Sequence, residues 1–156
     1  MNSMEKELKV AALRNGTVID HIPAVKLFQV VSILQLKNSH YPITIGNNLE
    51  SKHIGTKGII KIADRILSDD ETGKIALIAP NATINIIKEY KVVEKRPLVP
   101  ADEVHDLVYC ANPVCITNHQ PVPTNFYVLK EDGQVKLKCR YCEREFLREE
   151  IKLKKK

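Results

Sequence analysis

Tryptophan is absent from the 156 residues, and aromatic residues of any kind make up only 5%. Any core must therefore be aliphatic, and a series of aromatic platforms for stacking nucleic-acid bases is excluded. The first 109 residues contain no cysteine. No apolar run is long enough to cross a bilayer. The longest, residues 24–36, is interrupted by Lys26, Gln29, Ser32 and Gln35. The opening MNSMEKELKV lacks the apolar stretch of a secretory leader, so a cytoplasmic protein is expected. A strong excess of one charge is also missing. The net charge is +5, but Lys152, Lys154, Lys155 and Lys156 supply four of those charges, and the remainder is close to neutral. A solvated lysine tail that aids solubility is the simple reading, with nucleic-acid contact as its rival.

At 44% hydrophobic, the composition is that of a globular chain with room for one domain of about a hundred residues and a small satellite. KELKVAAL alternates Leu8, Val10 and Ala12, and Asn15-Gly16 separates it from TVIDHI, as in two strands joined by a tight turn. After Pro23, residues 24–36 are apolar around most of a helical circumference, which predicts a largely buried helix. TIG at 44–46, followed by a loop rich in Asn, Ser and Gly, and GIIKIAD at 58–64 read as strands. Ser68 and Glu71 have the spacing of a capping box for a helix that ends before Pro80. ATINIIKEYKVVEK then supplies one long strand. From Thr17 onward the order is strand, helix, strand, strand, helix, strand, the split βαβ plan of a ferredoxin-like sandwich. The prolines of KRPLVP mark a linker, with one domain over residues 1–97 and another over 98–156. The fold class expected is α+β: a ferredoxin-like α/β sandwich followed by a small C-terminal zinc-binding β domain.

The zinc enters through the cysteines. Cys110 and Cys115 form a CxxxxC knuckle, Cys139 and Cys142 form a CxxC knuckle, and NFYVLKEDGQVKLKC between them reads as a hairpin turning at Asp132-Gly133. Folding that hairpin brings the two thiol pairs together, as tetrahedral zinc requires. About fifty residues bury too little apolar surface to fold securely alone, whereas a structural zinc adds on the order of 10 kcal/mol. A redox CxxC lacks its usual βαβ setting here, and disulfides seldom persist in the cytosol. A closed shell of four thiolates makes the metal structural.

Asp20 and His21 stand side by side within a predicted strand, where alternation sends them to opposite faces and forbids a hydrogen-bonded dyad. Read alone, His21 is more often a satisfied structural or surface histidine than a ligand contact, and the same holds for Asp20. His40, His53, His105 and His119 lie in loop-like sequence without a nucleophile spacing, so no active site is found.

NGTVIDHIPA, ITIG, IIKI, APNATINIIKEYKVV, CITN and LKCRYCEREF together carry a resemblance to the regulatory chains of aspartate carbamoyltransferase. The resemblance covers nearly the whole chain. It implies a non-catalytic allosteric subunit of pyrimidine biosynthesis, with a nucleotide-binding sandwich and a zinc domain that grips the catalytic chain. The effectors it implies are CTP as inhibitor, ATP as activator and UTP acting with CTP. The assembly it implies is two catalytic trimers bridged by three regulatory dimers. Carried over by position, Val10, Leu13 and Val18 border the base and ribose site, and Asp20 lies near the sugar. His21 and Lys95 match phosphate-facing positions, Lys61 matches a ribose and base contact, and Asn85, Ile87, Tyr90 and Val92 complete the pocket. Asn112 and Glu143 match positions that meet the catalytic chain. Two departures stand out: Ala11 replaces an acidic residue at the effector site, and Val114 stands where a polar residue is familiar.

Overall fold

A computed structural model describes residues 12–52 and 54–154. Of the expected strand over residues 6–13, all but Ala12 and Leu13 lies outside them, as does Val10; Ala12 and Leu13 are irregular. The chain divides into two compact units between Val99 and Pro100.

In the first unit the elements run β1 (Gly16–Pro23), α1 (Leu27–Ile33), β2 (Ile43–Ser51), β3 (Gly55–Ala63), α2 (Asp69–Ile78), β4 (Thr83–Lys88) and β5 (Lys91–Arg96). The sheet order is β2-β3-β1-β4-β5, with every neighbouring pair antiparallel. The first four strands of that order are the ferredoxin-like arrangement, and β5 extends it at one edge. Ile19, Ile22, Ile60, Ile62 and Ile84 meet Leu27, Val30 and Leu34 on one side of the chain's helical layer and Leu67, Ile75 and Ala79 on the other. All are aliphatic, as the missing aromatics require. Each fully buried isoleucine or leucine contributes roughly 1.5–3 kcal/mol.

Two expectations fail here. The helix of residues 24–36 is broken into a 3-10 turn (Ala24–Lys26), the seven-residue α1 and a second 3-10 turn (Leu36–Asn38), with Gln35 left-handed between them. It buries one face only: Leu27, Val30 and Leu34 point inward, whereas Val25 is 85% and Phe28 70% exposed. No side chain caps α1, and β-branched residues crowd it, so little propensity opposes the break. The single long strand of residues 82–95 is in fact a hairpin, β4 and β5, turning at Glu89 and Tyr90. Both are left-handed, with φ of 49° and 66°. Neither residue type favours that conformation, which is why no turn signal was visible. The turn is held instead by the segment before β1. Tyr90 N–H donates to the Arg14 carbonyl at 3.0 Å, Glu89 N–H donates to Asn15 Oδ1 at 3.2 Å, and Arg14 pairs with Glu89 at 3.3 Å. A smaller difference concerns the loop expected after residue 46. It is strand, carried past a register shift between Gly46 and Leu49 with Asn48 left-handed.

The start of α2 follows the sequence closely. Glu71 N–H donates to Ser68 Oγ at 3.2 Å, and Ser68 N–H donates to Glu71 Oε1 at 3.0 Å, satisfying two orphan donors of the first turn. Glu71 also pairs with Arg65.

The second unit contains β6 (Glu103–His105), β7 (Asn125–Glu131), β8 (Gln134–Cys139) and β9 (Glu145–Leu147) in one antiparallel sheet of that order. The β7–β8 hairpin turns at Asp132 and Gly133, both with positive φ, as their types favour. Phe126, Val128, Leu137, Cys139 and Phe146 are buried, and the two phenyl rings meet edge-on at 6.1 Å. His105, expected in a loop, ends β6. Of the lysine tail, Lys155 and Lys156 lie outside the described residues and Lys152 is exposed, but Lys154 is not simply solvated. Leu153 forms a β-bridge with Val108, and Lys154 Nζ lies 2.5 Å from Asp106 Oδ1.

Gly16 opens β1 at φ 141°, and a Cβ there would lie 2.1 Å from the Ile62 carbonyl oxygen. Both the conformation and the space exclude a side chain. Gly16→Ala should lower the stability of this unit by about 3 kcal/mol or more, read from urea unfolding followed by circular dichroism.

Candidate metal centre and effector face

The first thiol knuckle is shaped by amides. Asn112 is buried, its carbonyl accepts from Cys115 N–H at 3.1 Å and from Asn118 Nδ2 at 2.7 Å, and its Oδ1 accepts from Val114 N–H at 3.2 Å. Asn118 Nδ2 also donates to the Cys110 carbonyl at 3.0 Å. One side chain thus ties two carbonyls of the CxxxxC loop. In the second knuckle Cys139 N–H donates to the Arg144 carbonyl and Glu143 N–H to the Cys139 carbonyl, each at 2.9 Å. Glu143 is left-handed at φ 63°, which closes the turn. Thr117 Oγ1 donates to Cys115 Sγ at 3.2 Å, and Cys142 N–H to Cys139 Sγ at 3.5 Å. Asn118 and Thr117 lie in the CITN motif, yet nothing in their spacing marked them as supports of the knuckle.

These loops bring the four sulfurs within 4.8 Å of one another. Cys110 and Cys142 are 3.7 Å apart, and Cys115 and Cys139 are 3.8 Å apart. A disulfide would need about 2.05 Å. A tetrahedron with zinc–sulfur arms of ~2.3 Å has edges of ~3.8 Å, so the donor set fits zinc in number, chemistry and spacing. Among the described residues the cluster consists of these four cysteines, and the metal it holds is structural. Burial pushes the Cys110 and Cys139 thiols up from their ordinary range. Burial also acts to raise Cys142, but hydrogen bonds from the Asn112 side chain, the Arg144 backbone and the neighbouring thiols outweigh it and hold Cys142 at about 7. The side chain of Asn112, expected at the catalytic-chain interface, is therefore engaged with the metal site.

A second site lies on the sheet of the first unit. The helices cover one face, and cross-strand register tells which residues share the other. Val18 stands opposite Lys61 on β3 and Asn85 on β4; Thr44 lies beyond Lys61, and Lys95 beyond Asn85. One row thus crosses all five strands: Thr44, Lys61, Val18, Asn85, Lys95. Gly16, Ile87 and Val92 form the row on one side of it, and Asp20 with Thr83 the row on the other. Seven of the sequence-expected residues, Val18, Asp20, Lys61, Asn85, Ile87, Val92 and Lys95, share this face. Tyr90 and Leu13 border its end, where the β4–β5 turn is tied to the segment before β1.

His21 departs from the expected alternation. Between Ile19 and Ile22, β1 advances three residues while β3 advances two, so one residue is extra. This is a β-bulge, and His21 takes it up with φ 59°. Asp20 and His21 are therefore not on opposite faces. His21 Nδ1 lies 3.8 Å from Asp20 Oδ2 and 3.3 Å from Thr83 Oγ1, while His21 N–H donates to Asp20 Oδ1 at 2.6 Å. Lys57 Nζ sits 2.9 Å from the same Asp20 oxygen. Lys57 was missed in the sequence, because only the pairing of β1 with β3 reveals that it lies near Asp20. Lys57 sits at Asp20, and Lys61 and Lys95 lie in the central row, so the face carries cations that suit a polyanion.

A family model described as the allosteric domain of the aspartate carbamoyltransferase regulatory chain matches residues 8–99, and one described as the metal binding domain of that chain matches residues 102–152. The chain belongs to the aspartate carbamoyltransferase regulatory chain family. It is 52% identical to the regulatory chain of Phocaeicola vulgatus, over 98% of this chain and 98% of that one. Against the regulatory chain of Bacteroides thetaiotaomicron it is also 52% identical, covering 97% of this chain and 98% of that one. The regulatory chain of Pyrococcus abyssi is 48% identical over 93% and 96% respectively. The chain is thus a non-catalytic regulatory subunit whose second unit holds one structural zinc.

Zinc must displace protons from the thiols, so affinity falls as pH falls. Below about 7 the Cys142 proton joins those to be displaced. Zinc affinity, measured by competition with a chromogenic chelator, should therefore decline more steeply per pH unit below about 7 than above it.

Proposed function

We propose that this chain senses nucleoside triphosphates for an aspartate carbamoyltransferase complex, with CTP inhibiting, ATP activating and UTP acting together with CTP. The effector lies on the open face of the sheet. Its phosphates face His21 and Lys95, its ribose lies near Asp20 and Lys61, and its base is bordered by Val10, Leu13, Val18, Asn85, Ile87, Tyr90 and Val92. What carries this reading is the row from Lys61 through Val18 and Asn85 to Lys95, which pairs cations at two points with an apolar and an amide position between them. A triphosphate's charge and a base's hydrogen-bonding edge call for that mixture.

In this reading residues 1–97 bind the effector and residues 98–156 dock onto the catalytic chain in the cytoplasm, at a surface that includes Asn112 and Glu143. Asn112 acts by shaping the loop that presents Val114, which is 77% exposed. Three dimers of this chain bridge two catalytic trimers. The exposed Val25 and Phe28 of the first unit supply apolar surface for pairing with a second copy. A nucleotide can bias the complex only through different affinity for its two states, typically ~1–3 kcal/mol.

Lys95→Ala should weaken CTP binding about tenfold or more in calorimetric titration, the loss of one charge-assisted hydrogen bond; equal affinities would remove the phosphate role. Mixed with the catalytic trimer of its own organism, the zinc-loaded chain should co-elute as a complex, and chelated chain should not. Association that persists without metal would sink the docking role assigned to residues 98–156.

A further inference from the structure

The basic C-terminal segment is the one feature of the sequence that the regulatory function does not absorb, and its placement is specific. After β9 the chain makes a single 3-10 turn (Arg148–Glu150), closed by Leu147 N–H donating to Glu150 Oε2 at 2.9 Å and Ile151 N–H donating to the Arg148 carbonyl at 3.1 Å. It then runs antiparallel to residues 107–109. Tyr109 N–H donates to the Lys152 carbonyl and Lys154 N–H to the Leu107 carbonyl, each at 2.9 Å, on either side of the Val108–Leu153 bridge.

The segment so covered leads directly into Cys110. Its other edge is already engaged: Asp106 N–H donates to the Thr124 carbonyl at 2.7 Å, and Thr124 Oγ1 donates to the Val108 carbonyl at 2.6 Å, with Thr124 and Val108 both buried. Lys154 Nζ at 2.5 Å from Asp106 Oδ1 pins the far end, with the lysine side chain only 19% exposed. The starting point of the segment matters as much. β9 is paired to β8, and β8 ends in Cys139. The C-terminal residues therefore run from the strand pair that carries one knuckle to the segment that carries the other.

We propose that residues 151–154 are a clasp that holds Cys110 in position against the Cys139–Cys142 knuckle, so that retention of the structural zinc depends on the chain's C-terminal segment. Without the clasp, the approach to Cys110 keeps hydrogen bonds on one edge only and its thiolate dissociates from the metal more often. Chelators attack a metal through such transiently opened ligands, so the release rate reports the clasp.

The test is the rate of zinc loss from the full zinc-loaded chain to excess chelator. A chain ending at Ile151 should release zinc about tenfold faster than wild type, within the range seen when outer partners of metal ligands are removed. The Tyr109 amide should lose its hydrogen-exchange protection. With cobalt in place of zinc, the visible bands of the truncated chain should shift in shape, because the Cys110 thiolate is less well held. Lys154→Gln and Asp106→Asn, which keep the backbone bridge and suit the left-handed Asp106, should each accelerate release two- to threefold, and the double variant no more than either alone. Wild-type release rates in the truncated chain overturn the proposal. Should that chain fail to fold, wild-type rates in both point variants overturn it equally. The proposal rests on the metal assignment, and the two fail differently: a wild-type chain without one zinc per chain defeats the assignment, whereas unchanged release from a zinc-loaded chain defeats only the clasp.

Discussion

Four thiolates within 4.8 Å of one another cannot coexist without a cation among them. Their mutual repulsion at separations of 3.7 to 3.8 Å would open the site or return protons to it, and burial of Cys110 and Cys139 pushes in the same direction. Metal resolves the conflict, and the rest of the second unit is arranged to make that resolution possible. The β7–β8 hairpin sets the distance between the knuckles, and the amide bonds of Asn112 and Asn118 hold the first of them closed. Sheet and core are thin here: four strands, two of them three residues long, and one phenylalanine pair. Metal ligation therefore supplies what a larger apolar core would otherwise supply.

The first unit solves a different problem. Its sheet has an aliphatic core on one face, so it needs no metal and is free to give the other face to a ligand. Alternation along β1 makes the division: Thr17 and Ile19 turn to the helices, Val18 and Asp20 away from them. A strictly regular strand would then have sent His21 into the core. The bulge absorbs one residue, keeps His21 beside Asp20 and Thr83, and restores Ile22 to the core. One left-handed residue thus satisfies both faces. Left-handed backbone at a non-glycine residue costs about 1–2 kcal/mol, and the short bond from His21 N–H to Asp20 opposes that cost.

What was legible in the sequence follows from the range of the forces involved. The capping box at Ser68 and Glu71, the Asp132-Gly133 hairpin and the four-cysteine cluster all depend on residues close in sequence or on side chains with one dominant chemistry. The Glu89-Tyr90 turn was not legible, because its hydrogen-bond partners, Arg14 and Asn15, lie more than seventy positions away. Lys57 and the bulge at His21 were hidden for the same reason, since register between strands fixes them. Lys154 was misread for a related cause. Charge counting treated Lys154 as solvated, although its backbone and side chain both find partners near residue 106. Residue by residue, the proposed effector face came from resemblance; alternation along the strands then put seven of those residues on one face.

The two units thus owe their order to different interactions, and that difference bears on how regulation can fail. None of the contacts in the aliphatic sandwich or in the row from Lys61 to Lys95 involves a thiol, so loss of metal is expected to leave both in place. The proposed effector face would still meet its nucleotide, while the unit assigned to grip the catalytic chain lost its shape. On the proposed function, sensing and response are separable by chemistry alone, and metal supply becomes a condition on whether a bound nucleotide has any consequence.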